Sequence, residues 1–125
     1  MRALLSPASL KGVLGADAAA SAVARGVRAA GAEAVELPVA DGGEGTAFVL
    51  HAALGGEWAS ASVSDPLGRP VEACWLLLPD GRAVVEAASA IGLPLLAPEE
   101  RDPLQASSRG LGELLLAAVG AGARS

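Results

Sequence analysis

Nine residues, Pro38-Val39-Ala40-Asp41-Gly42-Gly43-Glu44-Gly45-Thr46, stand between a short apolar segment and a second apolar run. The segment before them, Ala34-Val35-Glu36-Leu37, reads as a strand, and the run after them, Ala47-Phe48-Val49-Leu50, reads as the start of a helix. A strand that passes through a glycine-rich turn into a helix places that turn at the carboxyl end of a sheet, where open α/β folds bind ligands. Gly42, Gly43 and Gly45 let the backbone approach a ligand closely, and Thr46 brings a hydroxyl to the helix N-terminus. Asp41 and Glu44 sit in the same turn and would repel a bare phosphate, so the loop suits a hydroxyl-bearing substrate, a magnesium ion, or both. The plainer alternative is a simple connection, because Asp-Gly and Gly-Gly pairs form turns in many proteins.

The rest of the amino-terminal half repeats the strand–helix alternation. Ala3-Leu4-Leu5 reads as a buried strand stopped by Ser6-Pro7, and an alanine-rich helix is expected from about Ala16 to Ala30. Asp17 suits the dipole in its first turn, and Gly31 stops it. Gly26 inside that helix costs about 1 kcal/mol against alanine, so tertiary support is required. The resulting βαβα order implies parallel strands and a right-handed crossover.

From Trp58 onward the pattern becomes β-rich. Trp58 to Ser64 alternates larger and smaller residues, Asp65 to Pro70 is a turn, Val71 to Leu78 a strand, and Pro79 to Arg82 a hairpin turn into Ala83 to Glu86. Prolines break the chain at Pro94 and from Pro98 to Pro103, ahead of a helix over Leu111 to Val119. The expected organisation is an α/β portion at 1–57 and a β-hairpin-rich unit at 58–125. A sheet of this kind that stops after a helix reads as cut short.

Composition bounds the function. At 125 residues, 52% hydrophobic and 2% aromatic, the chain builds its core from Ala, Val and Leu. A net charge of −5 argues against nucleic acid, which asks for a basic stripe. A single cysteine, Cys74, excludes an internal disulfide framework and reads as packing within its strand. No signal-peptide pattern or membrane-length apolar run is present, so a cytoplasmic setting without membrane contact is expected.

Other side chains have a functional and a plain reading. Lys11 is the only lysine among nine basic residues, and its compact ammonium suits a phosphate contact. Ser9 beside it either binds a substrate oxygen or caps the loop. Arg69 is either a solvated turn tip or a bidentate grip on a carboxylate or phosphate. Glu86 ends a strand and either faces a cleft or is simply exposed. Ser107-Ser108-Arg109 either meets an anion or caps the last helix. His51 has no ligand neighbours at metal spacing and reads as structural.

The order Ser6-Pro7-Ala8-Ser9-Leu10-Lys11-Gly12, then Pro38 to Thr46, then Asp65-Pro66-Leu67-Gly68-Arg69-Pro70-Val71, resembles the type I glycerate kinases. Glu86 to Gly92, Arg101-Asp102-Pro103-Leu104 and Gly110-Leu111-Gly112-Glu113-Leu114 continue the likeness. The resemblance implies transfer of the γ-phosphoryl of ATP to a hydroxyl of D-glycerate, with Mg2+. It implies a flavodoxin-like (Rossmann-like) portion followed by a swapped-hairpin β unit. It also implies catalytic roles for Asp41 (with Mg2+), Lys11 and Glu44, and substrate contacts from Ser9, Gly42, Gly43, Gly45, Thr46, Arg69 and Glu86. The family's first loop usually reads Ala-Pro-Asp-Ser-Phe-Lys-Gly, so Ala8 and Leu10 depart from it. Family members are also longer, which makes a missing carboxyl-terminal portion or a second copy of the chain the expected partner. The competing reading is a degenerate, non-catalytic module, or a kinase for another small hydroxy acid.

Overall fold

A computed structural model describes all 125 residues, which form two compact units, Met1–Ala53 and Leu54–Ser125. The division falls a few residues ahead of the expected 57.

In the first unit, β1 (Arg2–Leu5) and β2 (Glu33–Glu36) pair in parallel, with Leu4 opposite Val35 and Leu5 opposite Glu36. Helix α1 (Ala16–Ala29) makes the crossover. It buries Ala16, Ala19, Ala20 and Ala24, a stripe with an i, i+3, i+4, i+8 spacing whose small side chains allow close approach to the strands. Two polar ties fix it there. The Ser21 hydroxyl donates to Glu36 at 2.7 Å, and Arg28 pairs with the same carboxylate at 2.9 Å. The two together hold the Glu36 carboxyl below its ordinary range. Helix α2 (Thr46–Leu54) follows β2 and its glycine turn.

The second unit is a three-stranded antiparallel meander of β3 (Glu57–Ser64), β4 (Pro70–Leu77) and β5 (Ala83–Val85). Alternation along β4 sends Ala73 and Trp75 inward, where they meet Val63, Ala90, Leu114 and Ala118. The same alternation turns Cys74 outward, and the thiol is exposed rather than packed as expected. Trp75 is the one aromatic residue of this core. Its indole N–H lacks a hydrogen-bond partner, a cost of about 1–3 kcal/mol that the ring's large buried area offsets.

Three short elements were not foreseen. Helix α3 (Ala87–Ile91) begins directly after β5, and 3-10 turns occupy Leu93–Leu95 and Pro98–Glu100, where prolines were read only as breaks. Pro is tolerated in a first helical turn because its missing N–H has no partner there in any case. The last helix, α4, covers Arg109–Gly120, two residues earlier and one later than expected. The Arg109 N–H donates to the Ser107 hydroxyl oxygen at 3.1 Å in a local turn ahead of the helix, while the N-cap residue Ser108 makes no side-chain capping bond.

Helix α4 lies directly on the end of β3. A side chain at Gly110 would stand 1.7 Å from the Ser64 carbonyl oxygen, so only glycine fits. One turn later Glu113 accepts the Ser64 N–H at 2.7 Å, and also pairs with Arg109 at 2.7 Å. At the same corner, the next residue, Asp65, is a buried carboxylate whose Oδ1 accepts the N–H groups of Leu67 and Arg69, both at 2.8 Å. Its Oδ2 takes the Arg69 guanidinium at 2.6 Å, and the same guanidinium reaches Glu100 at 2.7 Å. Burial pushes the Asp65 carboxyl up, but the Arg69 side chain and the two backbone donors outweigh it and hold it below its ordinary value. Glu100 is lowered by Arg69 and the Ala97 N–H, and Glu113 by the Ser64 N–H and hydroxyl and then Arg109.

Two predictions follow from this packing. Gly110→Ala should lower the stability of the second unit by about 2 kcal/mol or more, because backbone must move. Gly112→Ala, on open helix surface, should raise it by up to about 1 kcal/mol. Urea unfolding of both variants checks the opposite signs. The lowered carboxyls of Asp65, Glu100 and Glu113 stabilise the fold fully above the unfolded values near pH 4. That contribution should fade as pH falls through the lower native values, and Asp65→Asn should flatten the acid limb of a thermal-melt series.

Candidate functional site

The parallel pair of the first unit places two loops at one edge. Hydrogen bonding continues past the strands: the Leu37 N–H donates to the Leu5 carbonyl at 2.8 Å, and the Val39 N–H to the Pro7 carbonyl at 3.1 Å. The loop after β1, carrying Ala8, Ser9 and Lys11, therefore leaves the sheet beside the acidic glycine turn after β2. Both stand at the carboxyl ends of parallel strands, where the backbone of such sheets leaves room for a ligand.

The turn is built by its own backbone. Gly42 and Gly45 adopt φ values of 85° and 89°, which side-chain-bearing residues avoid. A side chain at Gly43 would crowd the Asp41 carboxylate at 3.1 Å. The Gly43 N–H donates to Asp41 Oδ1 at 2.9 Å, and the Gly42 N–H donates to the Thr46 hydroxyl oxygen at 3.0 Å. These two amides therefore hold the turn's shape, and its outward chemistry is carried by the exposed carboxylates of Asp41 and Glu44. No group of three or more His, Cys, Asp or Glu side chains gathers to cage a metal ion. An ion held here would need further oxygens from a substrate, the usual arrangement for magnesium between one or two carboxylates and phosphate.

In the first loop Leu10 and Leu14 form a small bridge, closed by the Leu10 N–H on the Leu14 carbonyl at 2.8 Å. Gly12, at φ 72°, makes the reversal. Lys11 is exposed at this bend and Ser9 is half-buried before it. A cleft of about 420 Å3 opens beside the turn, between the start of α1 at Ala16 and the α2 side chains Phe48, Val49 and Ala52, over Leu37 and Pro38. Gly45 borders it, but neither Asp41 nor Lys11 does.

Arg69 and Glu86 belong to the second unit. Arg69 is no free turn tip, since Asp65, Glu100 and the Leu95 carbonyl at 3.3 Å engage its guanidinium. Sequence reasoning missed those partners, although an acid four residues before the arginine in a tight turn was a readable signal. Glu86 sits at the start of α3, where its carbonyl accepts the Ser89 hydroxyl at 2.7 Å.

Comparison with known proteins bears on this arrangement. The sequence profile of the glycerate kinase family matches residues 3–125. The glycerate 2-kinase of Escherichia coli (strain K12) is 44% identical over 126 residues, covering 98% of this chain and 33% of that protein. The glycerate kinase of Bacillus subtilis (strain 168) is 45% identical with the same coverage of both. A crystal structure of a protein assigned as glycerate kinase 2 from Salmonella typhimurium LT2 superposes with a TM-score of 0.71 at 38% identity, over 98% of this chain and 33% of that one. The chain thus spans about a third of the length of these relatives, and no helix in it is long and apolar enough to cross a membrane. From the matched profile over nearly every residue, the chain belongs to the glycerate kinase family.

Proposed function

We propose that this chain contributes the acidic, acceptor-side loops of a kinase that moves the γ-phosphoryl of ATP to a hydroxyl of D-glycerate. One observation carries the reading: the Val39–Pro7 hydrogen bond sets the loop bearing Ser9 and Lys11 beside the turn bearing Asp41 and Glu44. Phosphoryl transfer asks mainly for positioning and charge neutralisation, and these are the groups that provide them. Asp41 orients the acceptor hydroxyl or holds Mg2+, with Glu44 in support. Lys11 neutralises phosphate or the glycerate carboxylate, and Ser9 and Thr46 offer hydroxyls. Gly42, Gly43 and Gly45 act by shaping the turn around the substrate. Arg69 positions the β3–β4 turn through Asp65 and Glu100, and Glu86 adds a carboxylate from the β unit.

In this reading the first unit is the start of a flavodoxin-like domain, supported by its parallel pair and crossover helix. The second begins a swapped-hairpin domain, supported by its antiparallel meander. The setting is cytoplasmic, in keeping with one free, exposed cysteine.

One observation favours the degenerate alternative. Ala8 stands in the first loop where the resemblance expects a carboxylate, which removes a candidate magnesium ligand. A chimera separates the readings, with residues 1–125 replacing the matched third of the E. coli glycerate 2-kinase. ADP release with D-glycerate, ATP and Mg2+ is the expected result. Asp41→Ala should then lower kcat about a hundredfold or more with the fold intact by circular dichroism, while Ala8→Asp should raise it. A folded chimera without turnover in either form would leave the degenerate reading in place.

A further inference from the structure

Arg69 holds two carboxylates in two different ways. Asp65 takes the guanidinium Nε–H on Oδ2 at 2.6 Å, its side chain is only 6% exposed, and its Oδ1 is committed to the Leu67 and Arg69 amides. That tie fixes where the guanidinium points. The Nη1–Nη2 edge of the same group faces Glu100, with Oε1 at 2.7 Å and Oε2 at 3.3 Å. Two N–H donors side by side on one planar edge are the arrangement that receives a carboxylate with both its oxygens.

Glu100 holds its edge more weakly than Asp65 holds Nε. The Glu100 side chain is 31% exposed and that of Arg69 47%, and ion pairs open to water contribute little. Glu100 ends a single 3-10 turn, Pro98–Glu100, within a segment from 92 to 108 that joins α3 to α4 without strand or α-helix. Arg69 and the Ala97 amide, at 3.0 Å, hold the Glu100 carboxyl low, while burial and the Asp65 charge push it back up. Two acids share one base here, so exchanging Glu100 for another carboxylate leaves the charge balance unchanged. The Arg82–Asp80 pair, at 2.7 Å, lacks this build, because only Asp80 engages that guanidinium.

We propose that the Nη1–Nη2 edge of Arg69 is a binding position for the carboxylate of a small hydroxy acid, and that Glu100 is an internal stand-in which the entering acid displaces. Asp65 keeps the guanidinium aimed in both states. When the acid enters, Glu100 and its 3-10 turn come away from the β3–β4 turn. Ser107, whose N–H donates to the Pro66 carbonyl at 2.9 Å, keeps the far end of the segment attached. Naming D-glycerate as the acid rests on the kinase reading, whereas the exchange at Arg69 does not.

Amide hydrogen exchange on the full 125-residue chain, read by NMR, has a reporter for each tie. The Ala97 N–H loses its acceptor when Glu100 leaves, whereas the Leu67 and Arg69 amides stay on Asp65. Titration with D-glycerate at constant ionic strength should speed Ala97 exchange severalfold. Leu67, Arg69 and the Arg82 amide, which donates to Asp80, should not change. Glu100→Gln should tighten D-glycerate binding about tenfold, because the competing occupant loses its charge. Arg69→Lys should abolish binding, and the wild-type measurement stands whether or not either variant folds. An Ala97 amide indifferent to the acid overturns the inference. So does equal acceleration at Arg82, an equal effect of the methyl ester of D-glycerate, or displacement by inorganic phosphate alone. Ala97 exchange that responds to L-lactate but not to D-glycerate supports the exchange and counts against the kinase reading alone. An active chimera whose Ala97 amide ignores D-glycerate does the reverse.

Discussion

Parallel pairing of Arg2–Leu5 with Glu33–Glu36 is the constraint on which the rest of the first unit depends. Parallel strands require a crossover, and here α1 supplies it with a stripe of alanines small enough to lie close to the sheet. Because the hydrogen bonding runs on to Leu37 and Val39, both outgoing loops are held at the same edge instead of diverging at the strand ends. The chemistry available to the site is therefore a consequence of backbone register. A slip of β2 by one residue would turn Glu36 away from Arg28, bring Val35 to the α1 face, and shift the acidic turn relative to the lysine loop.

The second unit is held by different means. Its core is thin in aromatic residues, and side-chain-to-backbone ties close the corner where β3 ends. Glu113 satisfies the Ser64 amide where β3 meets α4, and Asp65 satisfies two amides where β3 turns into β4. Buried carboxylates are tolerable only when their lone pairs are engaged, and Asp65 meets that condition with three donors. Arg69 then links that turn to the 98–100 segment through Glu100, joining two loops far apart in sequence.

Much of this was readable in the amino-acid order. The strand–turn–helix around Asp41 and the hairpin at Pro79 to Arg82 announce themselves through glycine and proline, whose backbone restrictions are local. The crossover helix was visible through its alanine content and its flanking glycines. What escaped was decided by contacts between distant residues. Nothing near Arg69 in sequence points to Glu100, which lies thirty-one positions away. Helix α3 is five residues long, too short for a periodic pattern to emerge. Cys74 was misjudged because its neighbours are apolar, whereas strand alternation decides which side of the sheet a residue meets. At the candidate site, residue types suggested the chemistry, but the use of the Gly42 and Gly43 amides within the turn was visible only in three dimensions.

That internal use makes the turn its own mould. The Gly43 amide fixes the direction of the Asp41 carboxylate, and the Thr46 hydroxyl oxygen holds the Gly42 amide. The geometry of the loop is thus local, written within residues 41–46, and is not imposed by packing against distant elements.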